Sequence, residues 1–136
     1  MANTADILII DDDRDLVDSM RIILESKAYQ VRTSYNGKEG FAEIERKIPD
    51  LLILDVMMST DTEGFDLAYK LQRSPQYKKI PIIMLTSFPE KMKEKGPEKF
   101  QYIMGEDWPV KRFFDKPIQP EKLLSTIAQL LPDKSA

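Results

Sequence analysis

The chain contains no cysteine and no histidine among its 136 residues. Without thiols there is no disulfide framework, no thiolate metal site and no cysteine nucleophile. Without imidazole, histidine-based acid–base chemistry and zinc sites built on histidine are excluded. A basic excess is missing as well: 20 Lys and Arg against 23 Asp and Glu leave a net charge of −3, which gives no overall electrostatic footprint for direct nucleic-acid binding. No apolar run approaches the roughly 20 residues of a membrane span, and Met1 to Asp6 lacks the charged start and apolar stretch of a signal peptide. Internal repeats, low-complexity segments and interdomain linkers are absent. The expectation is therefore a soluble cytoplasmic protein with no membrane attachment. A hydrophobic content of 42% suits one domain spanning residues 1–136, with a core over about 5–131.

What is present is an alternation of short apolar runs and longer amphipathic stretches. Ile7-Leu8-Ile9-Ile10 reads as a strand over 6–10, and Leu16, Val17, Met20, Ile23 and Leu24 recur at helical spacing across roughly 14–27. Gln30–Ser34 is a weak strand centred on Val31, followed by a turn at Asn36-Gly37. Phe41, Ile44 and Ile48 mark a second helix, which must end before Pro49 because the residue preceding proline avoids the helical region. Leu51–Leu54 is apolar on both faces, as a central parallel strand requires. Phe65, Ala68 and Leu71 then mark a third helix, Pro81–Leu85 a fourth strand, and Phe113-Phe114 a fifth. A last helix starts at Pro120 and carries Leu123, Leu124, Ile127, Leu130 and Leu131. From Thr86 to Lys116 the chain advances 30 positions, long for one helix and two turns. Gly96-Pro97 predicts a broken or doubled helix there, with Trp108 packed against the body. Strands alternating with helices predict a parallel sheet covered on both faces.

The chemistry gathers where the runs end. Ile10 is followed by Asp11-Asp12-Asp13, Leu54 by Asp55, Leu85 by Thr86-Ser87, and Phe114 by Asp115-Lys116-Pro117. In neighbouring parallel strands these groups converge at one sheet edge, where open α/β sheets bind ligands. Carboxylates, a hydroxyl and a lysine in one crevice suit a divalent cation and a phosphoryl group. Asp13, directly before a helix, reads as its N-cap rather than a metal ligand. The Glu/Lys run from Glu90 to Lys99 reads as a solvated helical face.

These motifs, in this order and covering essentially the whole chain, closely resemble the response-regulator receiver domain. The resemblance implies a flavodoxin-like, doubly wound five-stranded parallel sheet of order 2-1-3-4-5. It implies a phosphoacceptor aspartate, Asp55, that takes a phosphoryl group from a sensor histidine kinase or phosphotransfer protein and signals to an output protein by conformational change. It further implies Mg2+, or Mn2+ in its place, held directly by Asp12 and Asp55, through water by Asp11 and by the backbone carbonyl of Met57. Thr86 and Lys116 would hold the phosphoryl oxygens, Thr86 and Phe113 would form the switch, and Lys116-Pro117 would be cis. Met57 and Phe88 would flank the path of the attacking water and slow dephosphorylation. The residue types suit these roles: a carboxylate can form an acyl phosphate, phosphoryl transfer asks mainly for positioning and charge neutralisation, and Mg2+ prefers oxygen ligands.

Two departures from the family pattern bear on this. Ser59 stands where a proline is usual, with Gly64 one position late, and the stretch from Phe88 to Pro109 is extended on the face receivers use for output or dimerisation. Partner identity and oligomeric state therefore do not carry over. An EF-hand fails because Leu16 and Ile22 fall where glycine and the bidentate glutamate belong. A haloacid-dehalogenase-like phosphatase finds its D-x-D in Asp11–Asp13, but the chain is too short for a cap and Asp15 is out of pattern. The alternative from another class is a receiver-like protein-interaction module that is never phosphorylated. No enzymatic or DNA-binding output domain is expected within these 136 residues, so the chain either signals by protein contact or is one domain of a longer protein. The expected chemistry is self-catalysed phosphotransfer and autodephosphorylation rather than turnover of a separate substrate.

Overall fold

The computed structural model of the chain describes residues 5–55, 63–86, 110–115 and 119–131. Among the described residues nine elements occur in chain order: β1 (Asp6–Ile10), α1 (Arg14–Glu25), β2 (Gln30–Ser34), α2 (Gly37–Arg46), β3 (Leu51–Asp55), α3 (Glu63–Arg73), β4 (Ile82–Thr86), β5 (Val110–Asp115) and α4 (Pro120–Leu130). These five strands are parallel, as the alternating pattern predicts, and lie in the order β2-β1-β3-β4-β5 that the resemblance implies. The broken helix anticipated around Gly96-Pro97, the place of Trp108 and the Lys116-Pro117 bond lie outside the described residues.

Alternation along the strands divides the core into two layers. Leu8, Ile10, Leu52, Leu54, Ile82 and Met84 face α2 and α3, meeting Ile44, Leu67, Ala68 and Leu71. Their neighbours Ile7, Ile9, Leu51, Ile53, Ile83 and Leu85 face α1 and α4, meeting Val17, Met20, Leu24, Leu123 and Ile127. Both faces are covered, so β1 and β3 are buried without a break and apolar except for Asp6 and Asp55 at their outer ends. Burial of each such side chain is worth roughly 1.5–3 kcal/mol.

Local chemistry sets the helix ends. Asp13, extended at φ −85°, caps α1 by accepting the Leu16 N–H at 3.2 Å. At the other end, Tyr29 N–H reaches the Leu24 carbonyl and Ala28 N–H the Glu25 carbonyl, closing a Schellman turn. The residue at its left-handed position is Ala28, φ 70°, where glycine is the usual occupant. This closure stops α1 at Glu25, two residues short of the expected end.

One reading is refined in α2 and one corrected. The expected turn at Asn36-Gly37 leads straight into the helix: the Asn36 side chain accepts the Glu39 N–H at 2.8 Å and caps it, with Gly37 its first residue. Ile48 does not extend the helix. Lys47 is already extended at φ −157°, as the approach to Pro49 demands, and Ile48 is left 49% exposed. Further along α2, Gly40 packs directly on β1. A Cβ built there would lie 2.3 Å from Ile10 Cδ1 and 2.8 Å from its Cγ1, so only the missing side chain lets the helix approach so closely.

The amino end of the sheet is tied by an ionic network that periodicity does not reveal. Arg32, mid-way along β2, donates to both carboxylate oxygens of Asp6, from Nε at 3.1 Å and from a terminal nitrogen at 2.8 Å. It also donates to the Glu43 carboxylate and to the backbone carbonyls of Glu43 and Lys47. Those carbonyls close the C-terminal end of α2, which a cation stabilises. Asp6 N–H in turn donates to Asp50 at 2.8 Å. Arg46, hydrogen-bonded to Glu43 at 2.7 Å, holds that carboxyl below its usual range; partial burial opposes the effect and Arg32 reinforces it. Arg46 itself is pushed up by the same pair.

Candidate functional site at the carboxyl edge of the sheet

Register brings the candidate residues together. Ile10 at the end of β1 pairs with Leu54 of β3, so the residues that follow, Asp11 and Asp55, emerge side by side. Asp55 pairs with Leu85 on β4, and Thr86 with Asp115 on β5. The chain just before Lys116 therefore reaches the same edge as Thr86. Asp11 extends the ladder by donating its N–H to the Ser34 carbonyl at 3.1 Å. Its Oδ1 accepts the Asp13 N–H at 2.9 Å, a bond that turns the chain from β1 into α1 and orients the carboxylate.

The three successive aspartates thus do three different jobs. Asp11 is fully buried, Asp12 is exposed, and Asp13 caps α1. One carboxylate oxygen from each of Asp11, Asp12 and Asp55 lies within 4.8 Å of the other two. Asp55 is 1% exposed. Three carboxylates at this separation repel one another, and burying two of them raises the cost. A small cation relieves both penalties.

The donor set fits such an ion. All three ligands are hard carboxylate oxygens, the preference of Mg2+ and Mn2+ rather than of zinc or copper. Two donors point from the protein interior and one sits at the water boundary, which suits an ion that keeps several waters.

Of the residues predicted from sequence, the structure brings together Asp11, Asp12 and Asp55. It places the backbone of Thr86 at the same edge and Phe113 on β5 opposite Met84. Met57, Phe88 and Lys116 lie outside the described residues. Sequence reasoning missed Arg14, whose guanidinium lies 4.0 Å over the Tyr35 ring and links the start of α1 to the end of β2 at this edge. It also missed Arg32. Neither contact follows a helical or strand period, though Asp6 at the start of β1 and Asp50 just before β3 were a visible hint of a partner below.

The family model described as the response regulator receiver domain matches residues 7–128. The chain belongs to this family. Among curated proteins, this receiver is 32% identical over 125 residues to the phosphate regulon transcriptional regulatory protein PhoB of Pseudomonas aeruginosa, covering 92% of the chain but 51% of that protein. It is 31% identical over 124 residues to an uncharacterised 14.6 kDa protein of Leptolyngbya boryana, covering 91% of the chain and 88% of the relative. The chain thus spans about half the length of the PhoB regulator. Among solved structures, the signal receiver domain of a signal transduction histidine kinase from Syntrophus aciditrophicus superposes with a TM-score of 0.80 at 28% identity, over 96% of this chain and 92% of that one. A CheY-like receiver domain protein from Methanospirillum hungatei gives 0.78 at 27% identity, over 96% of both chains. The predicted fold and family are both borne out. Among the described residues no helix is long and apolar enough to cross a membrane.

Proposed function

We propose that this receiver takes a phosphoryl group from a phosphohistidine donor onto Asp55 and signals to a protein partner in the phosphorylated state. The observation that carries the reading is Asp55 itself, buried at the end of the central strand with oxygens of Asp11 and Asp12 within 4.8 Å. An Asp55 carboxylate oxygen attacks phosphorus, the P–O bond forms as the P–N bond breaks, and the electron pair leaves on the donor imidazole. Asp12 and Asp55 would hold Mg2+ or Mn2+ directly, with Asp11 acting through water and the Met57 carbonyl as a further ligand. The ion would supply neutralisation of charge on the phosphoryl oxygens. Thr86 donates a hydrogen bond to the arriving group, Lys116 pairs with it, and Thr86 and Phe113 relay the change.

Burial suits Asp55 to its part. A carboxylate shielded from bulk water reacts with a donor that enters the crevice, and its acyl phosphate is shielded afterwards. Met57 and Phe88, both bulky and apolar, obstruct in-line approach of water and lengthen the lifetime of the product. The chain acts in the cytoplasm as a receiver with a core over about 5–131, and its chemistry is confined to its own phosphorylation and dephosphorylation. The experiment is incubation with acetyl phosphate and Mg2+ followed by intact-mass measurement. Wild type should gain one phosphoryl group and Asp55→Asn none. Uptake by Asp55→Asn would sink the assignment, and no uptake by wild type would favour an interaction module that is never phosphorylated.

A further inference from the structure

Away from the acidic edge, two adjoining hollows open on the α2–α3 face. One, of about 300 Å³, is lined by Gly37, Lys38, Phe41 and Leu67 together with Asp66 and Lys70. The other, of about 430 Å³, shares Asp66 and Lys70 and continues along α3 to Tyr69 and Arg73. The four α3 residues of the second hollow fall at helical spacing on one face, so the two hollows form one groove. Phe41 and Tyr69 are half-buried, Leu67 is buried, and Lys38, Lys70 and Arg73 are exposed along the groove.

The charge of this groove runs against that of the chain. Three cations line it against one described carboxylate, Asp66, in a protein of net charge −3. Elsewhere the described arginines Arg21, Arg32 and Arg46 are engaged by Asp18, Asp6 and Glu43. Among the described residues, Lys38, Lys70 and Arg73 form no such ion pair. Lys70 rests 3.8 Å over the Phe41 ring and Arg73 5.7 Å over Tyr69. Exposed cation–π contacts of this kind are weak, about 0.5–1 kcal/mol, so both cations are available to a carboxylate that reaches them.

We propose that the α2–α3 groove is a docking surface for an acidic peptide segment carrying aromatic or aliphatic side chains. An apolar side chain of the peptide enters between Phe41 and Leu67, and its carboxylates meet Lys38 and Lys70 at one end and Arg73 at the other. Three cations are too few for a nucleic-acid site, which typically engages 6–10 phosphates, and fewer than the 4–8 clustered cations of an anionic-lipid site. Hollows of these volumes sit at the lower end of the range for ligand pockets, which suits single side chains of an extended segment. The surface is separate from the acidic crevice, and the proposal does not rest on phosphorylation.

The test uses a short fluorescein-labelled peptide alternating Glu with Phe and Leu, read by fluorescence anisotropy on the full chain. We expect saturable binding that weakens as salt is raised toward 1 M, where the screening length falls to about 3 Å. Lys38→Glu, Lys70→Glu and Arg73→Glu combined should weaken it at least about tenfold (about 1.4 kcal/mol) with the thermal midpoint unchanged. Should that variant not fold, Lys38→Gln and Arg73→Gln singly, both at exposed positions, should each weaken binding about two- to threefold. Asp55→Asn should bind as wild type does, which separates this proposal from the phosphoacceptor reading. Absent binding, equal binding by the charge-altered variants, equal binding of a Lys-for-Glu peptide, or preference for anionic vesicles or single-stranded DNA would each overturn it.

Discussion

β1 carries an aspartate at each end, and the two ends treat the same residue type in opposite ways. At the amino end, Asp6 is gripped through both oxygens by Arg32, which also reaches Glu43 and the closing carbonyls of α2. At the carboxyl end, Asp11 is gathered with two further carboxylates, Asp12 and Asp55. The lower cluster carries its cation within the fold and spends it on stability. The upper cluster sets three carboxylate oxygens within 4.8 Å of one another, an arrangement that a bound divalent cation stabilises. Acidic residues flanking an apolar strand are therefore not one signal but two, and the position of the nearest guanidinium tells them apart.

The largest expected effect lies at the lower end. Arg32→Ala leaves the Asp6 carboxylate, whose side chain is 6% exposed, without its ionic partner. A loss of roughly 3–5 kcal/mol follows from breaking a buried pair on one side, read as a lower urea midpoint. A loss below 1 kcal/mol would mean that the network is ornamental. Replacing both partners, Asp6→Leu with Arg32→Met, should recover a good part of the loss, because a well-packed apolar pair is often as stable as the ions it replaces.

The upper end should behave in the reverse sense. Mg2+ at a hundred times its dissociation constant should stabilise wild type by about 2.7 kcal/mol, and Asp12→Ala should lose most of that increment. Without metal, Asp12→Ala should be no less stable than wild type, since it removes a like charge from the cluster. Differential scanning calorimetry with and without Mg2+ separates the two halves of this expectation. A variant destabilised without metal but fully responsive to Mg2+ would reverse the assignment of the two ends.

A smaller effect tests the packing beneath the upper cluster. Gly40→Ala drives a methyl into Ile10, the last residue before Asp11, and should cost about 1–3 kcal/mol by overpacking. Ile10→Val removes Cδ1, the nearest atom in that collision, but keeps γ carbons at the 2.8 and 3.2 Å positions, so the double variant should recover only part of the cost of Gly40→Ala. A double-mutant cycle on thermal unfolding checks this: independent, additive costs would mean that the two residues do not share the space.

The smallest effect is a pH dependence. Arg46, with help from Arg32, holds Glu43 below its ordinary 4.5. Its contribution is fully present above pH 4.5 and is lost as pH falls through the lowered value. Glu43 is about a third exposed, so solvent screens the pair and the effect is slight. Unfolding midpoints of wild type and Glu43→Gln should converge as pH is taken from 6 down to about 3. Curves that stay parallel would show that the pair does not couple to folding.

Much of this architecture was legible in the chain because it is written in local pattern. Apolar runs of strand length, each ending in a polar residue, yield both the sheet and the edge at which Asp11, Asp12 and Asp55 meet. The helix caps were half legible: Asp13 stood out before an apolar periodicity, whereas Asn36-Gly37 read as a turn because the same dipeptide serves both purposes. Ile48 misled because hydrophobic spacing continues past the point where Pro49 ends the helix. Arg32 could not be found by period at all. Its partners lie 11 to 26 residues away, and a single arginine in an edge strand ordinarily signals nothing beyond solvent.

The close seating of Gly40 on Ile10 has a consequence for how this chain can change over time. The two positions share one fixed volume, so the order of substitution matters. A lineage that first trims Ile10 to Val passes through a mild cavity, typically about 0.5–1.5 kcal/mol, and then meets a smaller collision when alanine appears at 40, from the γ carbons alone. The opposite order passes through an overpacked intermediate beside the acidic cluster. Scanning one position at a time would read Gly40 as intolerant, when its freedom is simply held by a neighbour on another element.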